Sequence, residues 1–178
     1  VAVSGGPDSL ALAFLSKIYS IKKGVDVKYL IIDHKLRPES TSEAKKVQQI
    51  LKKKLIKSQI LSWKGKKPSS NIQSLARKKR YELLCASSKN LKSNNILLGH
   101  HEDDLIENFF IRLIRGSGLK GLVSLSRKKS NGNINLLRPL INEKKDTLMY
   151  VSNKVFNSYV KDPSNENEKF LRVGVRKL

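Results

Sequence analysis

Ser4-Gly5-Gly6-Pro7-Asp8-Ser9 stands between the apolar run Val1-Ala2-Val3 and the apolar stretch from Leu10 to Leu15. The order reads as a buried strand, a glycine turn lined with hydroxyls, and a helix. Paired glycines let backbone N–H groups approach a ligand closely, and the helix behind supplies unpaired N–H donors and the positive end of its dipole. The chemistry on offer is phosphate binding. A Walker A loop needs G-x-x-x-x-G-K-S/T, and no lysine follows here; the G-x-G-x-x-G spacing of a dinucleotide site is also missing. An ordinary strand-to-helix turn would share the glycines, but has no use for Ser4, Asp8 and Ser9 together.

The rare residues form a second group. The three histidines, His34, His100 and His101, each follow an apolar run. Four of the 15 acids, Glu102, Asp103, Asp104 and Glu107, fall within six residues of a chain whose formal net charge is +21. Leu105, Ile106, Phe109, Leu113 and Ile114 predict a buried stripe on a helix over 103–115, which leaves Asp103, Asp104 and Glu107 on or near its opposite side. Spaced i, i+3 and i, i+4, these carboxylates converge. Acids in a first turn also complement the helix dipole, which accounts for one or two of them but not for Glu107 or the histidine pair. Carboxylates beside a phosphate site hold Mg²⁺, receive a cationic substrate or act as a base, and the residues alone leave all three open. His100 with Asp104 lacks the further His or Cys ligands of a transition-metal site.

Arg77, Arg80 and Tyr81 share one face of a helix near 71–89. Arginine is scarce here, at nine residues, and its planar fork suits phosphate better than lysine does. Arg112 and Arg115 recur on the carboxylate helix, where they also complement its C-terminal end.

These residues need a scaffold that brings strand ends together. Strands are predicted at Val1 to Ser4, Val27 to Asp33, Gln59 to Trp63 and Asn95 to His100, and helices near 9–20, 42–55, 71–89 and 103–115. Ser40 with Glu43 and Ser70 with Gln73 read as capping boxes. After Arg115 come a glycine loop (Gly116, Gly118, Gly121), a polar turn region at 128–133 and a strand from Ile134 to Leu140. Asn142 then caps a helix from Glu143, and Asp162-Pro163-Ser164-Asn165 turns into a last basic helical stretch. The alternation implies an α/β fold, a doubly wound, mostly parallel sheet with helices on both faces. Ligands bind such sheets beyond the carboxyl ends of the strands, where Ser4 to Ser9, Asp33-His34 and His100-His101 all fall.

At 178 residues a single domain is expected, with residues 116–178 as its peripheral part. No apolar run reaches the roughly 18 residues of a membrane span, and the apolar start, broken by Asp8, is no signal peptide. The chain opens in mid-strand without Met, so a few preceding residues are expected. Cys85 is the one cysteine, which excludes an internal disulfide and a Cys-x-x-Cys pair and favours a reducing, cytoplasmic setting. The positive field favours a nucleic acid over a membrane partner.

Ser4 to Ser9 resembles the S-G-G-x-D-S pyrophosphate loop of N-type ATP pyrophosphatases, the PP-loop family. Within that family, four further segments resemble tRNA(Ile)-lysidine synthetases. They are Asp33-His34-Lys35-Leu36-Arg37 with Ser40 and Glu43-Ala44; Gln73 to Tyr81; His100 to Glu107 with Arg115 to Leu119; and Arg138-Pro139-Leu140. The Asp162 to Asn165 turn with Phe170, Arg172 and Arg176 also fits. The resemblance implies a Rossmann-like adenine nucleotide alpha hydrolase fold and a catalytic N-terminal domain, with no C-terminal tRNA-binding domains visible.

What the resemblance implies for chemistry is adenylation of the wobble cytidine of tRNA(Ile) with a CAU anticodon, followed by attack of free L-lysine. Ser4, Gly5, Gly6, Pro7, Asp8 and Ser9 would bind ATP, with Mg²⁺ held through its phosphates and Asp8 a candidate ligand. Asp33, Asp104 and Glu107 would receive lysine. Arg77, Arg80 and His100 join these three carboxylates as candidate catalytic residues, and Arg112, Arg115, Arg172 and Arg176 are candidate tRNA contacts. A homodimer is left open, and no membrane is involved. Leu105 and Asn108 stand where the family usually has Gln and Thr, and Val173-Gly174 where it has Asn-Arg; these departures bear on tRNA contacts more than on ATP. The competing classes are another adenylating tRNA-modifying enzyme, such as a thiolase with paired cysteines, and a non-catalytic basic RNA-binding module.

Overall fold

A computed structural model of the chain describes residues 1–65, 70–118, 125–160 and 175. The predicted turn and helix beyond Asp162, with Arg172 and Arg176, lie outside the described residues, as does Gly121.

The elements follow the predicted alternation: β1 (Ala2–Val3), α1 (Pro7–Lys23), β2 (Tyr29–Asp33), α2 (Ser40–Lys53), β3 (Ser58–Ser62), α3 (Ile72–Asn90), β4 (Asn95–Leu97), α4 (Glu102–Ile114), β5 (Lys128–Asn131), β6 (Ile134–Leu137) and α5 (Lys145–Phe156). The strands pair in two three-stranded sheets, β1-β2-β3 and β4-β6-β5. All pairings are parallel except the β5–β6 hairpin.

The central strand shows why both faces are covered. Successive side chains of a strand point to opposite faces. Tyr29 and Ile31 accordingly pack among Leu10, Val47, Leu51 and Phe156, from α1, α2 and α5. Leu30 and Ile32 pack among Leu84 of α3, Ile96 of β4 and Leu136 of β6. This second cluster draws on strands of both sheets, so the two share one core. Each such side chain, fully buried, contributes roughly 1.5–3 kcal/mol.

Helix ends correct several expectations. Neither predicted capping box forms: α2 starts after Glu39 and α3 after Asn71, with no side-chain cap bond at either. Ser40 Oγ instead accepts from the Arg37 N–H at 3.3 Å, and Glu43 pairs with the Arg37 guanidinium at 3.0 Å. The residues of the first box thus brace the β2–α2 loop. The last described helix begins at Lys145, with Lys144 and not Asn142 at its cap. The predicted strand to Leu140 stops at Leu137, and residues 128–131, read as turn, form β5 with Gly132 at φ 57° closing the hairpin.

Candidate active site

The carboxyl ends of β1, β2, β4 and β6 carry the polar residues. After β1 the glycine turn is wrapped around one hydroxyl. Ser9 Oγ accepts from the backbone N–H groups of Ser4 and Gly5, each at 3.1 Å, and donates to Gly6 O at 3.0 Å. Gly5 has φ 92°, and a Cβ there would collide with Val47 Cγ2, so both backbone and space demand glycine. Gly6 caps α1 with extended backbone and Pro7 opens the helix, a first position where the missing N–H costs nothing. The first-turn N–H groups of a helix have no intrahelical partner, and with the dipole they make the start of α1 a candidate anion cradle.

After β4, His101 caps α4, and its backbone N–H donates to Asp104 Oδ2 at 3.1 Å. The imidazole Nε2 lies 3.6 Å from Asp8 Oδ2 and 3.6 Å from Asp104 Oδ2. The glycine turn and the acidic helix therefore meet at His101. Burial pushes the Asp8 carboxyl above its ordinary 3.8; His101 pulls it back down, Asp104 pushes it up and Lys145 pulls it down. Asp8 Oδ1 is sealed from solvent and has no hydrogen-bond partner among the described residues. Gly99 makes the approach of β4 to α1 possible, since a Cβ there would stand 3.2 Å from the Asp8 carbonyl.

The predicted faces of α4 are reversed except at Asp103, which is exposed as expected. Asp104 and Glu107 are 8% and 5% exposed, whereas Ile106, Phe109 and Leu113 are 52%, 42% and 50% exposed. The carboxylates face inward because α4 begins at the strand ends and its first two turns lie against the site.

Asp33 at the end of β2 is 1% exposed. Its Oδ1 accepts from the Lys35 N–H at 2.9 Å and its Oδ2 from the Thr41 hydroxyl at 2.8 Å. It is held by the loop after β2, in which Lys35 takes φ 51°, and by the first turn of α2.

At the end of β6, Arg138 is 3% exposed. It donates through Nε to His100 Nδ1 at 3.2 Å and through Nη1 to Ser126 O at 2.7 Å. Burial lowers its pKa; the Tyr81 hydroxyl, to which it is also hydrogen-bonded, raises it, and Arg77 lowers it. The Arg77 guanidinium lies 5.5 Å from the Tyr81 ring centre, within cation–π range. Arg77 and Arg80 are themselves exposed on α3, Arg112 is half-buried on α4, and Arg115 at its end is exposed.

Among the candidates, then, Asp8 and Asp104 are brought together, and Arg77 is joined to His100 through Tyr81 and Arg138. Thr41 and Lys145 carry no signal in the sequence; His101 and Arg138 are named there, as a strand-end histidine and within Arg138-Pro139-Leu140, but without a role. The rule that polar residues at parallel strand ends line the site would have found Arg138, since it follows β6 directly. Among the described residues no three His, Cys, Asp or Glu converge as a ready metal cage. A surface hollow by Cys85, Lys89 and Asn131 to Ile134 opens at the start of β6, the rim opposite to these strand ends. No described helix is long and apolar enough to cross a membrane.

Comparisons with known proteins bear on the family and the fold. A model of the PP-loop domain matches residues 1–178. The tRNA(Ile)-lysidine synthase of Orientia tsutsugamushi (strain Boryong) is 43% identical over 178 residues, which are 100% of this chain and 40% of that protein. The enzyme of the same name from Rhodopseudomonas palustris is 37% identical over 180 residues, covering 100% of this chain and 52% of that protein. The chain thus spans about half the length, or less, of these relatives. Among solved structures, the U34-tRNA thiolase NcsA from Methanococcus maripaludis with its 4Fe-4S cluster superposes with a TM-score of 0.82 at 20% identity, covering 99% of this chain and 63% of that one. At that identity the likeness establishes the fold.

Proposed function

This chain belongs to the PP-loop domain family, and from that premise we propose that it ligates free L-lysine to C2 of the wobble cytidine of tRNA(Ile) with a CAU anticodon, consuming ATP. The observation that carries the proposal is the junction at His101, where Asp8 of the phosphate turn and Asp104 of the acidic helix lie 3.6 Å from one imidazole nitrogen. One wall suits a triphosphate and the adjoining wall suits a cation.

In the first step the cytosine O2 attacks the α-phosphorus of ATP, and the bond to the β-phosphate oxygen breaks to release pyrophosphate. The N–H groups at the start of α1 hold the departing phosphates, and Ser9 keeps the turn in shape for them. Asp8 is suited to Mg²⁺: its Oδ1 is a buried carboxylate oxygen without a partner among the described residues, beside the proposed phosphate cradle. Bound there with the phosphates, the ion would neutralise charge on the leaving group. In the second step the lysine ε-nitrogen attacks C2, and the C2–O bond breaks to release AMP. An ammonium of pKa near 10.4 must first lose a proton. Asp104 and Glu107, both turned inward on α4, receive the cation, and one of them takes the proton. Asp33, at the carboxyl end of β2, is the third carboxylate that the reading offers to lysine.

Sequence relatives with the name tRNA(Ile)-lysidine synthase support the reading across the whole chain. Within these 178 residues a sulfur-transfer chemistry built on paired cysteines finds Cys85 alone. The reading places the reaction in the cytoplasm.

ATP–pyrophosphate exchange tests the proposal, run on this chain and on a protein extended to the length of its relatives. Exchange that requires the CAU-bearing tRNA, followed by lysine incorporation, is the expected result. Exchange that ignores this tRNA, or no exchange in the extended protein, overturns it. Within the scheme, Glu107→Gln should raise the KM for lysine and slow the second step; unchanged values of both remove Glu107 from the site.

A further inference from the structure

Arg138 is a buried cation whose described partners are all neutral: an imidazole nitrogen, a backbone carbonyl and a phenol hydroxyl. A guanidinium in that position is retained at a cost unless its donors do something specific. The bond to His100 is the informative one. An arginine carries only donors, so the imidazole nitrogen that faces Nε must accept. His100 Nδ1 therefore bears a lone pair, and the ring proton resides on Nε2.

We propose that Arg138 is a positioning residue that locks His100 as its Nε2–H tautomer, a fixed hydrogen-bond donor at the end of β4. The proposal deepens the adenylyl-transfer reading and rests on it for the identity of the acceptor. Two facts of the geometry support the lock. Arg138 cannot swing away, because Nη1 is tied to Ser126 O at 2.7 Å and the side chain is buried. The Tyr81 hydroxyl bears on the same guanidinium, and the Tyr81 ring is itself covered by Arg77. Arg77 thereby acts at one remove from the strand end, by keeping Tyr81 against Arg138.

The acceptor a fixed neutral donor suits is an oxygen that gains negative charge in the transition state. For adenylyl transfer that is a non-bridging oxygen on the α-phosphorus, where a preorganised donor is worth more than one recruited from water. A neutral imidazole adds hydrogen bonding there without another full charge beside Arg77 and Arg138.

The direct test is ¹⁵N-edited NMR of the imidazoles in this chain at neutral pH, with His100→Gln used to assign the resonance. The Nε2–H pattern is expected for His100. The Nδ1–H pattern, a doubly protonated ring or an averaged tautomer mixture each overturns the lock, and none of these readouts depends on which reaction the chain performs. Arg138→Met should release the preference, and Arg138→Lys, which keeps a donor, should restore part of it. If Arg138→Met fails to fold, the wild-type spectrum and the lysine variant still decide. In tRNA-dependent exchange, Arg138→Lys should lower kcat about tenfold to a hundredfold, a range ordinary for an orienting partner, with the KM for ATP little changed. A locked tautomer with unaltered exchange kinetics would leave the lock standing and remove its assigned acceptor.

Discussion

Asp8 Oδ2, in the first turn of α1, lies 3.6 Å from Nε2 of His101, the residue that caps α4. The glycine turn and the acidic helix belong to different strand–helix units, and this contact joins them. Its electrostatics are unequal. Burial holds the Asp8 pKa above 3.8 in spite of the imidazole, so the folded chain binds this proton more tightly than the unfolded chain does.

Stability should follow from that sign. Ionised Asp8 subtracts from stability at neutral pH, and the penalty fades as pH falls through the raised pKa toward 3.8. Asp8→Asn removes the charge at nearly constant shape. Urea titrations should find the variant the more stable protein at neutral pH, by about 1.4 kcal/mol for each unit the pKa is raised, with the gap closing in acid. A wild type that is the more stable at neutral pH would contradict the sign. The same variant should lose ATP binding, so the site would hold its function against stability.

The turn itself should be intolerant at two positions and tolerant at a third. Ser9→Ala strands the N–H groups of Ser4 and Gly5, which share its Oγ, at a cost of about 1–3 kcal/mol. Gly5→Ala adds backbone strain of about 1–3 kcal/mol to a collision with Val47. Gly6→Ala meets only Ser4 Oγ at 3.9 Å and should fold almost as the parent does. Denaturation midpoints of the three variants check the order. A Gly5 variant as stable as the Gly6 variant would contradict the geometry of the turn.

The reversed face of α4 makes its own prediction. Phe109→Gln and Leu113→Gln replace side chains that are 42% and 50% exposed, and each should change stability by about 0.5 kcal/mol or less. Leu84→Ala, in the core beneath α3, should cost about 2–5 kcal/mol. Chemical denaturation separates these cases, and a large loss at Phe109 would restore the buried stripe that periodicity suggested.

That stripe shows where the sequence is legible and where it is not. Leu30 and Ile32 against Tyr29 and Ile31 announce a strand covered on both faces, and it is so. Helix and strand existence was readable because each apolar pattern has one period. Which face of α4 turns inward was not, because apolar content marks a core only where a core is the neighbour. Here the neighbour is the polar rim of the sheet, so Asp104 and Glu107 face in. The caps were equally hidden: Ser40 and Glu43 have the spacing of a capping box, but Arg37 engages both. Arg138 was legible as a strand-end residue, while its bond to His100 requires residues 38 positions apart to meet.

Asp33, read from the sequence as a lysine receptor, serves in the structure as a brace of the β2–α2 connection. Both of its oxygens already accept bonds, one from the Lys35 N–H in the loop after β2 and one from the Thr41 hydroxyl in the first turn of α2. Thr41→Val deletes one donor at nearly constant volume and leaves Oδ2 of a side chain that is 1% exposed without that partner. The expected loss is about 1–3 kcal/mol, the penalty for an unmet buried acceptor. The brace role predicts that saturating L-lysine stabilises the variant and the parent equally, because the ligand's charge is met by Asp104 and Glu107. A receptor role predicts that lysine recovers the lost stability, since its ammonium would take the place of the missing hydroxyl. Thermal denaturation with and without lysine reads the difference, and recovery in the variant alone would move Asp33 from the frame of the pocket into contact with substrate.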